Sequence, residues 1–141
     1  MSFKTIWDAI FTELDKVRTI DLTAWSVYNY EPKIIENYPA ILITTANWDE
    51  EILDTITNET TYNFTIRTVD EIHTWIATVE DNMRTLADTV LERLKDVSTS
   101  ISYSNGCTVK MEYSYEWWWT DTQEPLRVFE ITAKYTWLES K

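Results

Sequence analysis

The chain has 141 residues, a length typical of one domain that buries enough surface to need no disulfide or metal. Its single cysteine excludes an intramolecular disulfide framework, and no run of about 18 apolar residues is present to form a membrane-spanning helix. The formal net charge of −12 disfavours sequence-independent binding to DNA, and it suits a basic protein partner, a channel through which DNA slides, or plain solubility.

Residues 3–20 are predicted to form an amphipathic helix, the first element of the chain. Apolar residues recur there at steps of three and four, which places them on one wide stripe of a helix. Ser2 is the predicted N-cap, and Asp21 is the predicted exit from the helix. The stripe consists of Phe3, Ile6, Trp7, Ile10, Phe11, Leu14 and Val17.

Two strands are predicted after this helix. Residues 24–30 are rich in aromatic and β-branched side chains, and Pro32 ends the run because its ring removes a backbone donor. Residues 38–45 contain the continuous apolar run Ala40–Ile43. Such a run indicates burial on both faces, and the second strand is therefore expected at a central position in a sheet.

The next segment, residues 46–59, has two interpretations. Its acidic and aliphatic residues are mixed without a clear period. It is either a long connection with a short helical turn at Asp49–Asp54 or part of a strand extended towards Thr60. Residues 60–69 then alternate cleanly and predict a third strand, with Tyr62, Phe64 and Ile66 on one face.

A second, longer helix is predicted over residues 71–97, with Asp70 as its N-cap. Its apolar stripe runs for about seven turns, long enough to cross a whole sheet. The pattern also fits a short coiled-coil strand, although the stripe is wider than a strict a/d seam. The stripe consists of Ile72, Trp75, Ile76, Val79, Met83, Leu86, Val90, Leu91, Leu94 and Val97.

The last predicted elements are two strands that pair as an antiparallel hairpin. Residues 104–106 are a turn signal, residues 107–119 and 126–137 both alternate, and the polar loop 120–125 joins the two runs. The whole chain therefore predicts a single α+β domain over residues 1–141. Its expected core is a mostly antiparallel sheet of about five strands packed against two helices, in the order α-β-β-β-α-β-β.

Few side chains are suited to catalysis or metal binding. His73 is predicted to be an exposed helix residue, and Cys107 a small apolar filler at a turn. One histidine and one cysteine do not make a zinc site, and a single glycine does not make a phosphate-binding loop. The consecutive acids Asp49–Glu51 are predicted to be solvated rather than a paired catalytic site. No catalytic residue, cofactor or metal is therefore predicted.

Tryptophans mark the candidate interaction sites. In a strand Trp117 and Trp119 would point to one face and Trp118 to the polar face. Trp118 either packs under its own chain or joins a subunit interface, where Trp is enriched among the energetically dominant residues. Trp48, beside three acids, has the same two interpretations. The candidate interface residues are Trp48, Asp49, Glu50, Glu51, Trp117, Trp118, Trp119 and Arg127.

The order of the elements and two short segments are similar to those of a known family. The first segment is Tyr-Pro-Ala-Ile-Leu-Ile at Tyr38–Ile43, and the second is the strand TTYNFTIRT at residues 60–68. A variable acidic loop separates them, and a long helix and a hairpin follow. Over nearly its whole length the chain resembles the tail terminator, or tail-completion, proteins of long-tailed bacteriophages and related head–tail joining proteins.

The resemblance implies a ring, hexameric in the family, that caps the tail tube and presents a surface to neck or head-completion proteins. Its implied partners are further copies of the chain, the tail-tube protein and the neck proteins, with no membrane contact. The implied location is the virion tail or neck, after assembly in the host cytoplasm. DNA would pass through an acidic lumen without specific binding. Residues 46–59 become a candidate loop to the lumen or tube, and residues 117–125 a candidate contact between neighbours.

Two other classes of function stay open at this point. One is a small-ligand-binding domain whose aromatic residues line a pocket under the sheet. The other is an enzyme whose acidic residues carry no recognisable pattern. A mass measured in solution would separate an assembling protein from both alternatives.

Overall fold

A computed structural model gives the arrangement of most of the chain. It describes residues 3–30, 32–35, 37–52, 57–72, 76–105, 108–120 and 125–140. The predictions for Ser2, His73, Trp75, Gly106, Cys107 and residues 121–124 lie outside these ranges.

Within the described ranges, two helices and five strands follow one another in the predicted order, so the α+β fold is confirmed. The strands form one sheet in the order β1-β2-β3-β5-β4. Strand β1 is parallel to β2, and the other three pairings are antiparallel, as expected for the hairpin β4–β5. The elements are α1 (Phe3–Thr19), β1 (Ser26–Tyr28), β2 (Ala40–Ile52), β3 (Thr57–Glu71), α2 (Ile76–Asn105), β4 (Lys110–Trp119) and β5 (Leu126–Ser140).

Both helices pack on one side of the sheet, which we call the helix face. Trp7 of α1 meets Phe64 of β3 edge to face, with ring centroids 6.0 Å apart. On α2, the hydroxyl of Tyr135 from β5 donates a hydrogen bond of 2.9 Å to the carbonyl of Leu94. The stripe of α2 therefore packs on its own sheet, rather than forming a coiled coil. Its buried members include Val79, Met83, Leu86, Val90, Leu94 and Val97.

The other side of the sheet, which we call the open face, is largely polar. It carries Arg67, Glu130, Thr132 and Lys134, which alternate with the core residues of β3 and β5. At one end it holds a small second apolar cluster. The buried members of that cluster are Leu42, Val69 and Val128, and Tyr28, Ile35, Tyr38, Trp118 and Leu126 pack against them.

Some predicted boundaries are wrong. Strand β1 has only 3 residues, instead of the predicted run 24–30. Residues 46–52 continue β2, so the predicted helical turn starting at Asp49 is wrong for its described part and the extended strand is right. Asp70 is no N-cap, because it lies within β3 opposite Arg127, and its Oδ1 accepts from the amide of Glu71.

Helix α2 is also shifted along the chain relative to the prediction. Glu71 belongs to β3, and the helix continues to Asn105, eight residues past Val97. The added end is fixed by packing, since Ile101 is 3% exposed. The hydroxyl of Ser102, in turn, accepts a hydrogen bond of 2.9 Å from the amide of Val109, which ties the helix end to the approach to β4.

Candidate subunit interface

Strand β4 forms one edge of the sheet and carries a row of exposed aromatic residues. Within the described chain it pairs with β5 alone. Tyr113, Tyr115 and Trp119 lie on the helix face, yet they are 44%, 57% and 44% exposed. Their neighbours on β5 at Ala133 and Ile131 are fully buried, so the cover that the helices give the sheet stops short of its edge. We call Tyr113, Tyr115 and Trp119 the aromatic edge.

Arg127 holds the end of the aromatic edge in place. Its guanidinium carbon lies 4.9 Å from the ring centroid of Trp117 and 4.5 Å from that of Trp119. Its Nε is 2.7 Å from Oε1 of Glu80 on α2, an ion pair at contact distance although the two groups are not aligned as a hydrogen bond. Trp117 packs on Phe129 with ring centroids 4.5 Å apart. The predicted site residues Trp117, Trp119 and Arg127 are thus brought together in one cluster.

Trp118 points to the open face, as its parity predicts. It stands opposite Val128 and packs against the second apolar cluster, where it is partly buried. The guanidinium of Arg67 lies 5.7 Å from its ring centroid, and that arginine also contacts Glu130 at 3.3 Å. The contacts of Trp118 are therefore those of the packing alternative, and its role in an interface stays a prediction.

The other predicted group lies far across the sheet from β4. Trp48, Asp49, Glu50 and Glu51 stand in β2, paired in register with Tyr62, Thr61, Thr60 and Glu59 of β3. Strands β3 and β5 separate β2 from β4, so the structure does not bring the acidic run and the aromatic edge together. The interface role assigned to these four residues stays a prediction.

A second set of exposed apolar residues, which the sequence did not reveal, lies in the segments before and after β1, the strand at the opposite edge. Trp25 immediately precedes β1 and is 71% exposed, and its amide donates to the carbonyl of Pro39. Parity is a poor guide here, because the strand is too short to show alternation. The sequence contains one weak sign of this patch: several large apolar residues stand there without the period of a helix or a strand. We call Ile20, Leu22, Trp25, Tyr30 and Ile34, all exposed, the β1 patch.

The segment that carries part of the β1 patch is anchored to α2. The guanidinium of Arg93 donates two hydrogen bonds of 3.0 Å to the carboxylate of Asp21, and Glu13 lies 3.5 Å from it. These contacts, the bonds to Asp21 first, raise the pKa of Arg93 above its ordinary value. Leu22, the next residue, has φ of 57°, a left-handed conformation that is unfavourable for a bulky side chain.

The described residues offer little for small-molecule chemistry. They contain no group of three or more His, Cys, Asp or Glu side chains placed to hold a metal ion. None of their helices is long and apolar enough to cross a membrane. Three cavities have volumes of about 180, 220 and 280 Å³, below the range of about 300–1,000 Å³ typical of ligand pockets.

Two groups of exposed large apolar side chains thus lie at the two edges of the sheet, on β4 and in the segments next to β1. The chain was also compared with known proteins. No protein-family model matches it, and no curated protein matches it.

Proposed function

We propose that this chain is a virion structural protein that assembles head to tail into a ring, caps a phage tail tube and joins the tail to the head or neck. The observation that supports this most directly is the pair of unlike apolar patches on opposite edges of one sheet. The aromatic edge lies on β4 and the β1 patch flanks β1. The proposal of a phage tail position itself comes from the resemblance of the element order and of the Tyr38–Ile43 segment.

Exposed apolar side chains at a sheet edge need a partner. A long edge strand with aromatic side chains is a template for unwanted pairing unless another chain covers it. Trp and Tyr are also the residues that dominate binding energy at protein interfaces. The clustering of Tyr113, Tyr115 and Trp119 on one edge therefore favours a docking function over plain solubility.

Two unlike patches favour a ring over a twofold dimer. A twofold interface uses the same patch on both copies, whereas a head-to-tail interface joins two different patches and closes into a ring when the rotation allows. The aromatic edge consists of aromatic side chains alone, and the β1 patch mixes aliphatic and aromatic side chains. The net charge of −12 fits a ring whose channel DNA crosses without sticking.

The test is the mass of the full chain in solution, measured alone and with tail-tube subunits over a range of concentrations. Trp25→Ser and Trp119→Ser should each weaken assembly at least about tenfold, since each removes an exposed indole from one patch. Leu138→Ser is the matched control, because Leu138 is 55% exposed and belongs to neither patch. A chain that stays monomeric alone and beside tube subunits, or patch variants that assemble as well as the control, would contradict the proposal.

A small-ligand-binding domain is the rival, and the described cavities do not favour it. The largest of the three volumes given above is about 280 Å³, and it is lined by Lys4, Trp7, Asp8 and Asn29 at the surface of α1. A hydrophobic small molecule that raises the melting temperature strongly would nonetheless support this rival.

A further inference from the structure

The two edges of the sheet differ in length, and each ends next to exposed apolar side chains. Strand β4 has 10 residues and β1 has 3. Trp119 ends β4, and Trp25 immediately precedes β1. At each edge, an interface between copies could therefore use both the backbone of an edge strand and the exposed apolar side chains beside it.

The strand directions of the two edges are opposite. Strands β2, β3, β5 and β4 alternate in direction, because each neighbouring pair is antiparallel, and β1 runs with β2. Strand β4 is therefore antiparallel to β1. A second copy displaced along the sheet, without being turned over, would place its β1 antiparallel to β4 and its helices on the same side. Antiparallel pairing is the more stable of the two arrangements per residue.

The register places one tryptophan of each patch at the same height. Ser26 stands opposite Ala40, Ala40 opposite Val69, Val69 opposite Val128, and Val128 opposite Trp118. One row across the sheet thus joins Ser26 to Trp118. Trp25 precedes Ser26, and Trp119 follows Trp118. Because β1 and β4 run in opposite directions, both tryptophans lie one residue beyond this row on the same side of it. A second copy placed so that its rows continue those of the first would bring its Trp25 beside Trp119 of the first copy.

The same displacement brings unlike charges to one height. Another row joins Asp49 through Thr61 and Thr136 to Lys110, the exposed first residue of β4. If the second copy is not shifted along the strands, Lys110 of one copy therefore lies at the same height as the acidic run Asp49–Glu51 of the next. An attraction between charges at one height contributes little free energy, about 0–1 kcal/mol, but it favours the correct register.

We infer that β4 of one copy pairs antiparallel with β1 of a second copy, so that the sheet continues from subunit to subunit with Trp119 against Trp25. The inference rests on the proposed head-to-tail assembly and specifies how its interface is built. The occupant of the aromatic edge is a second copy of this chain, because one displacement matches strand direction, apolar height and charge together. The helix face of one copy continues into the helix face of the next.

Hydrogen–deuterium exchange of the full chain tests the inference, at concentrations below and above assembly and with tail-tube subunits present. Amides of residues 116–119, the part of β4 that lies level with β1, should include some that exchange at least about tenfold more slowly in the assembly, because new strand hydrogen bonds protect them, whereas amides of residues 110–114 should change less. Amides of β3, which already has a strand on both sides, should change little.

Tyr115→Lys provides a second readout, since a charge on an edge strand opposes pairing. It should weaken assembly about tenfold or more, whereas Thr132→Lys, an exposed position on the inner strand β5, should not. A thermal melt of each variant confirms that it is folded. Assembly without slower exchange in β4 would overturn the strand pairing and leave the ring intact. No assembly under any of these conditions would overturn both.

Discussion

Arg127→Met is the most informative single perturbation of the fold, because one side chain joins β5, β4 and α2. In the native chain Arg127 contacts two indole rings at 4.9 and 4.5 Å and lies 2.7 Å from the carboxylate of Glu80. The side chains of Arg127 and Glu80 are only 13% and 19% exposed. Methionine is unbranched and apolar, so it keeps the packing of the aliphatic stem and removes the charge.

The expected loss in free energy of unfolding follows from the carboxylate of Glu80, which the substitution leaves without Arg127. Removing one partner of a buried ion pair costs about 3–5 kcal/mol, because the other charge stays buried. Here the cost is reduced, since both groups keep some contact with solvent and Arg84 lies 3.9 Å from Glu80. Loss of two cation–π contacts adds about 0.5–1 kcal/mol each. We expect Arg127→Met to lower the free energy of unfolding by about 2–4 kcal/mol.

The assay is urea unfolding followed by tryptophan fluorescence and far-UV circular dichroism, at a concentration where the chain is monomeric. Arg67→Met is the matched control. Arg67 also lies over a tryptophan and beside a carboxylate, but its side chain is 36% exposed, so we expect a loss of at most about 1 kcal/mol. The double variant with Glu80→Leu should recover part of the loss. If Arg127→Met costs no more than Arg67→Met, the pairing with Glu80 does not hold the edge in place.

Three further predictions concern other described contacts. Leu22→Gly should raise the free energy of unfolding by about 0.5–1 kcal/mol, since it relieves a left-handed conformation, and should weaken assembly; a melt and a mass measurement check both. Arg93→Met should cost about 1–3 kcal/mol in urea unfolding, because it removes two hydrogen bonds to Asp21. Tyr135→Phe should cost about 1 kcal/mol at pH 8, through the lost bond to Leu94. Burial raises the pKa of Tyr135, so the native chain loses stability as the pH rises above about 10, the value in an unfolded chain, and the difference from the phenylalanine variant should shrink there.

The core of the fold could be predicted because its side chains repeat with the period of their elements. The alternating residues of β5 at Phe129, Ile131 and Ala133 are all buried, and so are Phe64 and Ile66 of β3. A period of two fixes which face a side chain occupies. It does not show where a strand stops pairing. The alternation therefore did not show that β3 continues through Asp70. The sequence instead predicted a helix start there, because an acid in front of an apolar run is typical of an N-cap.

The candidate site could be predicted only in part, for a related physical reason. Parity predicted that Trp117 and Trp119 share one face of β4 and that Trp118 lies on the other, as the structure has them, but it did not predict that Arg127 of β5 lies over both of the first two rings. Trp119 is exposed because the helices do not cover the sheet as far as its β4 edge. Trp25 is exposed because β1 is short and Trp25 lies before it. Both exposures are properties of packing between elements distant in sequence, and no local pattern contains them.

The sequence of β4 also bears on how the proposed assembly of a strongly acidic chain could occur. Copies with a net charge of −12 repel one another, so an interface between them must bury apolar surface where few acids stand. The aromatic edge meets this condition on its helix face, where Tyr113, Tyr115 and Trp119 follow one another without an acid between them on that face. The acids of β4, Glu112 and Glu116, point to the open face instead. Alternation along a single strand thus separates the surface proposed to contact a second copy from the acidic side chains of the open face.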